Sequence, residues 1–329
     1  MSLTRRTLAL AGVSGLGLAA CSPRATNGQT VLNAVDVHPA DYPTVAAVKW
    51  MGEELGRLTQ GRIGIRQFPA GQLGTEDDSI GLTRFQAIDI CRVAVAALNN
   101  AFPETRLLAL PYVYRNVAHV RAVIDGPIGA ELLNVFEGRD LIGLAYYDAA
   151  PRSFYNVRHP VTEPGQMRGL KMRAPQSDIF LDSIRAMGAN PTPLTFGAVF
   201  SSLQTHLIDG AENNWPSYQS SRQFEVARYW SETEHSFAPD ALLMSKASFE
   251  RLTPADRELV RDVARQSVQV MRVAWDKREA EARATVLAAG VQVSAVDRAA
   301  FAATVRPVLD KYLAEPRLRA LHERIAAVA

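Results

Sequence analysis

Cysteine is nearly absent: two in 329 residues, too few for a disulfide framework or a four-cysteine zinc site. Excess charge of one sign is also missing, since 36 Lys and Arg stand against 34 Asp and Glu, a formal net of +2. That balance leaves no electrostatic footprint for nucleic acid, whose binders carry a basic patch or stripe. The six histidines are scattered singly, so a metal site built from sequence neighbours is not expected. No Gly-x-Ser-x-Gly, Walker phosphate loop or His-Glu-x-x-His occurs. The glycines Gly12, Gly15 and Gly17 imitate a dinucleotide fingerprint but lie in the N-terminal apolar stretch. No cofactor, metal or catalytic residue is therefore expected. An apolar share of 47%, spread along the chain, argues against disorder. At ~150 residues per domain, the length suggests about two lobes.

No apolar run reaches the ~20 residues of a membrane-spanning helix. The run Leu8 to Ala20 follows Arg5 and Arg6 and ends in Leu18-Ala19-Ala20-Cys21. Charged head, short apolar core and small residues are the order of an export signal. Its end resembles the lipobox of bacterial lipoproteins, with Cys21 as the lipidated new N-terminus, and Thr4-Arg5-Arg6-Thr7-Leu8 is weakly similar to a twin-arginine signal. Removing residues 1–20 takes away two arginines and no acid, leaving 34 bases against 34 acids. Residues 22–29 read as a polar tether. Cys91, inside the apolar run 87–97, reads as a small core residue.

The mature chain alternates β-type runs (31–37, 63–68, 88–95, 143–147) with helical patterns over 44–58 and 75–86. The alternation restarts at Leu170 to Ala174, with Ser177 as the expected cap of a helix through Met187, a helix over 196–206, and short strands over 190–194 and 208–213. Two β/α runs imply an α/β chain with two mostly parallel sheets, hence two lobes and a cleft between them. Thr253-Pro254-Ala255-Asp256 is a helix start, and no breaker follows before Gly290. About 35 residues at 1.5 Å each give a helix of ~52 Å, long enough to lie across both lobes. The aromatic group Trp215, Tyr218, Phe224, Tyr229 and Trp230 reads as core packing rather than a ligand stack.

Cationic and amide side chains gather at strand ends: Arg152, Arg173, and the pair Asn213 and Asn214. Ligands of open α/β sheets sit beyond the carboxyl ends of strands. A guanidinium there offers a planar fork to a carboxylate, and an Asn amide can both donate and accept.

The segments Gly169 to Pro175, Leu203-Gln204-Thr205 and Ile208 to Asn213 resemble the solute-binding proteins of tripartite ATP-independent periplasmic (TRAP) transporters. Pro69-Ala70-Gly71-Gln72-Leu73-Gly74, Leu110-Pro111-Tyr112 and Asp125 to Gly129 are similar to its other landmarks, so the resemblance covers the mature chain. It implies a two-lobed periplasmic binding-protein fold with a long helix spanning both lobes, the first of 30–149 with 238–275 and the second of 150–237 with 276–329. It implies an organic-acid ligand clamped by Arg173, helped by Arg152 and Asn213, and delivery to a membrane permease. The implied protein is a periplasmic monomer, touching the membrane only through its N-terminal lipid.

Asp36-Val37-His38-Pro39, Ala145-Tyr146-Tyr147-Asp148 and Glu212 to Tyr218 look like the branch that binds hexuronic acids. On that resemblance the ligand is a monocarboxylate sugar acid such as D-glucuronate or D-galacturonate. His38, Glu76, Asp148 and Asn214 are then candidates for hydroxyl contacts, and Arg92, read as following a strand, reaches the same cleft. Glu76 could instead complement its helix dipole, His38 order its loop, and Asp148 hold Arg152 in place. Alternatives are a receptor for a C4-dicarboxylate or other organic acid, and a sugar-acid hydrolase or lyase using Glu76 or Asp148 as base.

Overall fold

The computed structural model describes residues 28–148 and 150–329. The export signal, Cys21 and most of the tether lie outside the described residues. Among the described residues eleven strands form two sheets: β1 Thr30–Val35, β2 Ile63–Phe68, β3 Ile90–Ala94, β4 Leu141–Tyr147, β5 Arg152–Asn156, β6 Lys171–Ala174, β7 Asn190–Pro193, β8 Gly210–Asn213, β9 Tyr229–Ser236, β10 Asp240–Ser245 and β11 Gln292–Ser294. The first sheet runs β2-β1-β3-β10-β4 and the second β11-β9-β5-β8-β6-β7.

Both sheets are mixed, which corrects the expectation of mostly parallel ones. β10 is antiparallel to β3 and β4, and β5 is antiparallel to β8 and β9. Periodicity finds a strand but not its direction, and the expected strands do not include β5, β9, β10 or β11. Two further expectations shift. Residues 196–206 form a 3₁₀ turn (Phe196–Ala198) and a short α-helix (Val199–Gln204) rather than one helix. Ser177 does stand at the N-cap of the helix Asp178–Ala186, but its hydroxyl bonds the Asn99 side chain at 3.0 Å instead of capping.

The long helix, Pro254–Ala288, is as the sequence predicts, with Thr253 Oγ1 accepting from the Asp256 N–H at 3.2 Å. Val260, Val263 and Met271 on its first half pack with Leu32, Met51 and Leu144 behind the first sheet. Ala282 and Val286 on its second half pack with Tyr155, Leu203 and Trp230 behind the second. One helix thus braces both sheets. A further core joins Val93 and Val120 to Met172, Phe301 and Ile325, so the chain's end folds back onto its beginning. Of the aromatic group, Trp215, Tyr218 and Trp230 are core as expected, with Trp215 and Trp230 stacked at 3.7 Å and Phe224 packed at their edge. Tyr229 is only half-buried and lies outside that core. Cys91 is fully buried and its thiol is pushed up to about 12 by burial.

Candidate functional site

The carboxyl end of β1 leads into Asp36 and His38, β3 carries Arg92 at its middle, β6 ends at Arg173 and Ala174, and β8 ends at Glu212 and Asn213. Arg152 opens β5, whose antiparallel course sets Ser153 opposite Asn213 and brings Arg152 to the same rim. β8 reaches that rim only because residue 210 is glycine: a Cβ there would stand 2.4 Å from the Tyr155 carbonyl. These ends meet in a small chamber between the sheets, of about 50 Å³. A second hollow of about 340 Å³ adjoins it, sharing Val37, Glu76, Arg173, Pro175 and Phe196 as common walls.

Contacts across the cleft hold the two sheets together around these spaces. Tyr42 Oη and Ser217 Oγ share a hydrogen bond of 2.8 Å, and the His38 ring meets Phe196 edge-on with centroids 5.1 Å apart. On the other side the Asp178 N–H donates to Asn100 Oδ1 at 3.3 Å.

Three buried arginines face the inner chamber, and they differ in how they are neutralised. Arg92 is forked on Asp36, with Nε donating to Oδ2 at 2.8 Å and Nη2 bonded to Oδ1. Its Nη1 reaches Glu76 at 3.2 Å and Asp240 at 3.5 Å. Burial alone would raise Asp36, but Arg92 outweighs it and holds that carboxyl below the usual range. Burial wins at Glu76, which is raised, and at Asp240, pushed up to about 7 with Glu76 and Asp36 adding repulsion. Arg92 therefore carries its own counter-ions. The structure places it within β3 rather than after a strand, which corrects that reading.

Arg152 is forked on Glu212 in the same way, through Nε at 2.5 Å and Nη2 at 2.8 Å. Burial would raise Glu212, yet Arg152, with the His235 ring beside it, holds it at about 2. Among the described residues only Nη1 of Arg152 is left without a hydrogen-bond partner.

Arg173 is different. It is 5% exposed, and among the described residues the sole hydrogen bond of its side chain runs from Nε to the Leu194 carbonyl at 2.9 Å. Among the described residues neither of its terminal nitrogens meets a carboxylate. Burial, only partly offset by the more distant Glu212, lowers its pKa from the ordinary arginine value. A buried guanidinium in this state is an anion site waiting for its anion.

Neutral polar groups stand around it. Asn213 Oδ1 accepts from the Asn214 N–H at 2.9 Å and Asn214 Oδ1 from the Ser217 N–H at 2.9 Å, so both amide nitrogens remain to donate. His38 stacks on Tyr42 at 3.8 Å; its Nδ1 is buried without a partner, and burial with Arg92 nearby depresses the ring to about 3. It is a neutral imidazole at working pH. The set can hold one carboxylate on a cation fork and hydroxyls on amide, imidazole and carboxyl groups.

The sequence-derived residues therefore divide. Arg173, Arg152, Asn213, Asn214, Glu76, His38 and Arg92 all line the inner chamber. Asp148 does not. Its two oxygens are taken by Arg121, at 2.7 Å, and Arg272, so it neither meets the cleft nor steadies Arg152. Sequence reasoning missed Asp240, Tyr42 and Ser217 as lining residues, and Asp36 and Glu212 as counter-ions. Asp36 and Glu212 lie inside the motifs quoted above. Asp240 had one signal, an acid placed between Pro239 and the buried run Ala241–Met244.

Similarity to known proteins agrees with this geometry. The model of the bacterial extracellular solute-binding protein family 7 (DctP) matches residues 34–315. A solute-binding protein of Chromohalobacter salexigens is 35% identical over 288 residues, 87% of this chain and 86% of its own. A TRAP periplasmic solute-binding protein from Bradyrhizobium, solved in complex with α/β-D-galacturonate, is 47% identical with a TM-score of 0.89, covering 90% of this chain and 99% of that one. Another from Pseudomonas putida F1, solved with bound D-glucuronate, is 34% identical with a TM-score of 0.89 over 91% of this chain and 97% of its own. Among the described residues no helix is long and apolar enough to cross a membrane.

Proposed function

This chain belongs to family 7 of the bacterial extracellular solute-binding proteins, and we propose that it is the periplasmic receptor of a TRAP transporter for a hexuronate such as D-galacturonate or D-glucuronate. The carboxylate lies on the two terminal nitrogens of Arg173, with Arg152 Nη1 beside it. Asn213, Asn214, His38 and Glu76 take the hydroxyls. Closure moves residues 150–237 and 276–329 against 30–149 and 238–275, and the closed form delivers its load to the membrane permease. Cys21 tethers the receptor to a membrane; metabolic labelling with a fatty acid, compared with Cys21→Ala, tests that part.

The observation that carries the ligand class is the count of free cations. Arg92 and Arg152 are each neutralised by the protein's own acids, so among the described residues of the inner chamber Arg173 alone lacks a counter-ion. One unpaired fork suits one carboxylate; a C4-dicarboxylate would bring a second charge to a chamber already lined by Asp240 and Glu76. A uronate carries one acid and several hydroxyls, which matches the amides and the imidazole. Calorimetric titration with D-galacturonate, D-glucuronate, succinate and malate is the test. Uronates should bind and dicarboxylates should not; the reverse order refutes the reading.

A further inference from the structure

The inner chamber, of about 50 Å³, is too small for a whole sugar ring, so the ring of a bound uronate reaches past Arg173 and Glu76 into the outer hollow of about 340 Å³. One ring leaves the far part of that hollow empty. The hollow persists although cross-cleft contacts flank it on both sides: Asn99 with Ser177 and Asn100 with Asp178 at one edge, His38 with Phe196 at the other. Its 340 Å³ falls within the ~300–1,000 Å³ typical of small-molecule pockets. The loop 69–74 and Gly197 give it backbone walls, and Phe196 supplies a ring face. Arg173 stands on its boundary with the inner chamber, so a guest held there by its carboxylate can extend outward without leaving the cation.

We propose that the far part of this hollow is a second subsite, and that the receptor's fullest guest is a hexuronate joined through its glycosidic carbon to a neutral sugar; the proposal rests on the uronate reading above. The charge of the hollow selects the extension. Its ionisable lining is Glu76, Asp77 and Arg173, and Asp77 makes no hydrogen bond or ion pair among the described residues. Arg173 is used by the first carboxylate. A second carboxylate would face two acids and no free cation, whereas a neutral ring meets the unpartnered side chains of Gln176 and Thr195 as hydroxyl partners and Phe196 as an apolar floor.

Calorimetry on the full mature chain decides it, with D-glucuronate, D-galacturonate, glucuronosyl-xylose, galacturonosyl-rhamnose and digalacturonate as probes. Each monoacid disaccharide should bind at least as tightly as its parent uronate, and digalacturonate roughly tenfold more weakly than either, a gap of about 1.4 kcal/mol. Asp77→Asn, a change at an exposed position, should narrow that gap. Monoacid disaccharides weaker than their parent uronates overturn the second subsite, and digalacturonate as tight as the monoacid pair overturns its charge preference. If the free uronates fail as well, the uronate reading falls and takes this inference with it.

Discussion

Replacing Arg173 should separate binding from stability in opposite directions. Its terminal nitrogens lack a counter-ion and burial disfavours its charge, so in the empty protein Arg173 is held at a loss. The desolvation penalty of a buried ion is still several kcal/mol after relaxation. Arg173→Met fills a similar space with apolar atoms and forfeits one hydrogen bond, Nε to Leu194, worth about 1 kcal/mol. The empty variant should therefore be more stable by on the order of 1 kcal/mol, raising Tm by on the order of 2 °C. Uronate binding should weaken by roughly 3–5 kcal/mol, the usual loss when one member of a buried ion pair is removed. That corresponds to about two to three and a half decades in Kd. Arg173→Lys keeps the charge and loses the fork, and should fall between wild type and Met. Differential scanning fluorimetry of the empty protein and calorimetry with D-galacturonate read the two effects. A Met variant that binds normally refutes the clamp; one that is destabilised when empty shows that the protein itself supplies Arg173 with a partner.

Asp240, near 7, lies above the ordinary carboxylate value because burial penalises its charge, so the native state holds a proton that the unfolded chain releases. The stability this contributes is complete below about pH 4 and is lost as pH rises through about 7; Asp240→Asn should flatten that decline in a series of Tm measurements. Glu212 has the opposite sign: held near 2 by Arg152, it contributes stability above its ordinary pKa that disappears as pH falls toward about 2. Glu212→Gln strands Arg152 and should cost about 3–5 kcal/mol in urea unfolding; an unchanged midpoint would contradict the pairing. Tyr42→Phe keeps the ring on His38 but removes the bond to Ser217 across the cleft. One hydrogen bond of about 1 kcal/mol should weaken uronate binding about fivefold, through faster dissociation seen in stopped flow.

What the sequence made legible follows from the range of the interactions involved. Helix starts and strand runs are local, and the 35-residue helix Pro254–Ala288 was readable from Thr253-Pro254 and the distance to Gly290. Strand direction is not local: β10 sits between β3 and β4, about 150 and 100 residues away along the chain respectively, and no periodicity within Asp240–Ser245 records that. Site residues divide on the same ground. Arg173, Arg152 and Asn213 were visible as residue types at strand ends, but their chemistry depends on which acids the fold brings near. Asp148 looked like a partner of Arg152, four residues on. The fold instead gives it Arg121 and Arg272, and gives Arg152 to Glu212, 60 residues away.

An ion site is defined by what remains after such pairings are made. Every acid and arginine near the cleft must first be matched, because an unmatched buried charge is expensive. Only then does an excess cation stand out. The abundance of acids around Arg92 serves that end: Asp36, Glu76 and Asp240 together more than neutralise it, so Arg92 cannot compete for the guest. The same surplus repels a second anion, and burial, with Glu76 and Asp36 adding to it, pushes Asp240 toward its protonated form, which can donate a hydrogen bond where a carboxylate could only accept. If Arg92 were instead a second clamp, Arg92→Met would abolish uronate binding without unfolding the protein. The pairing observed requires that it destabilise the fold, by roughly the 3–5 kcal/mol of a broken buried pair, with Asp36 left unmatched.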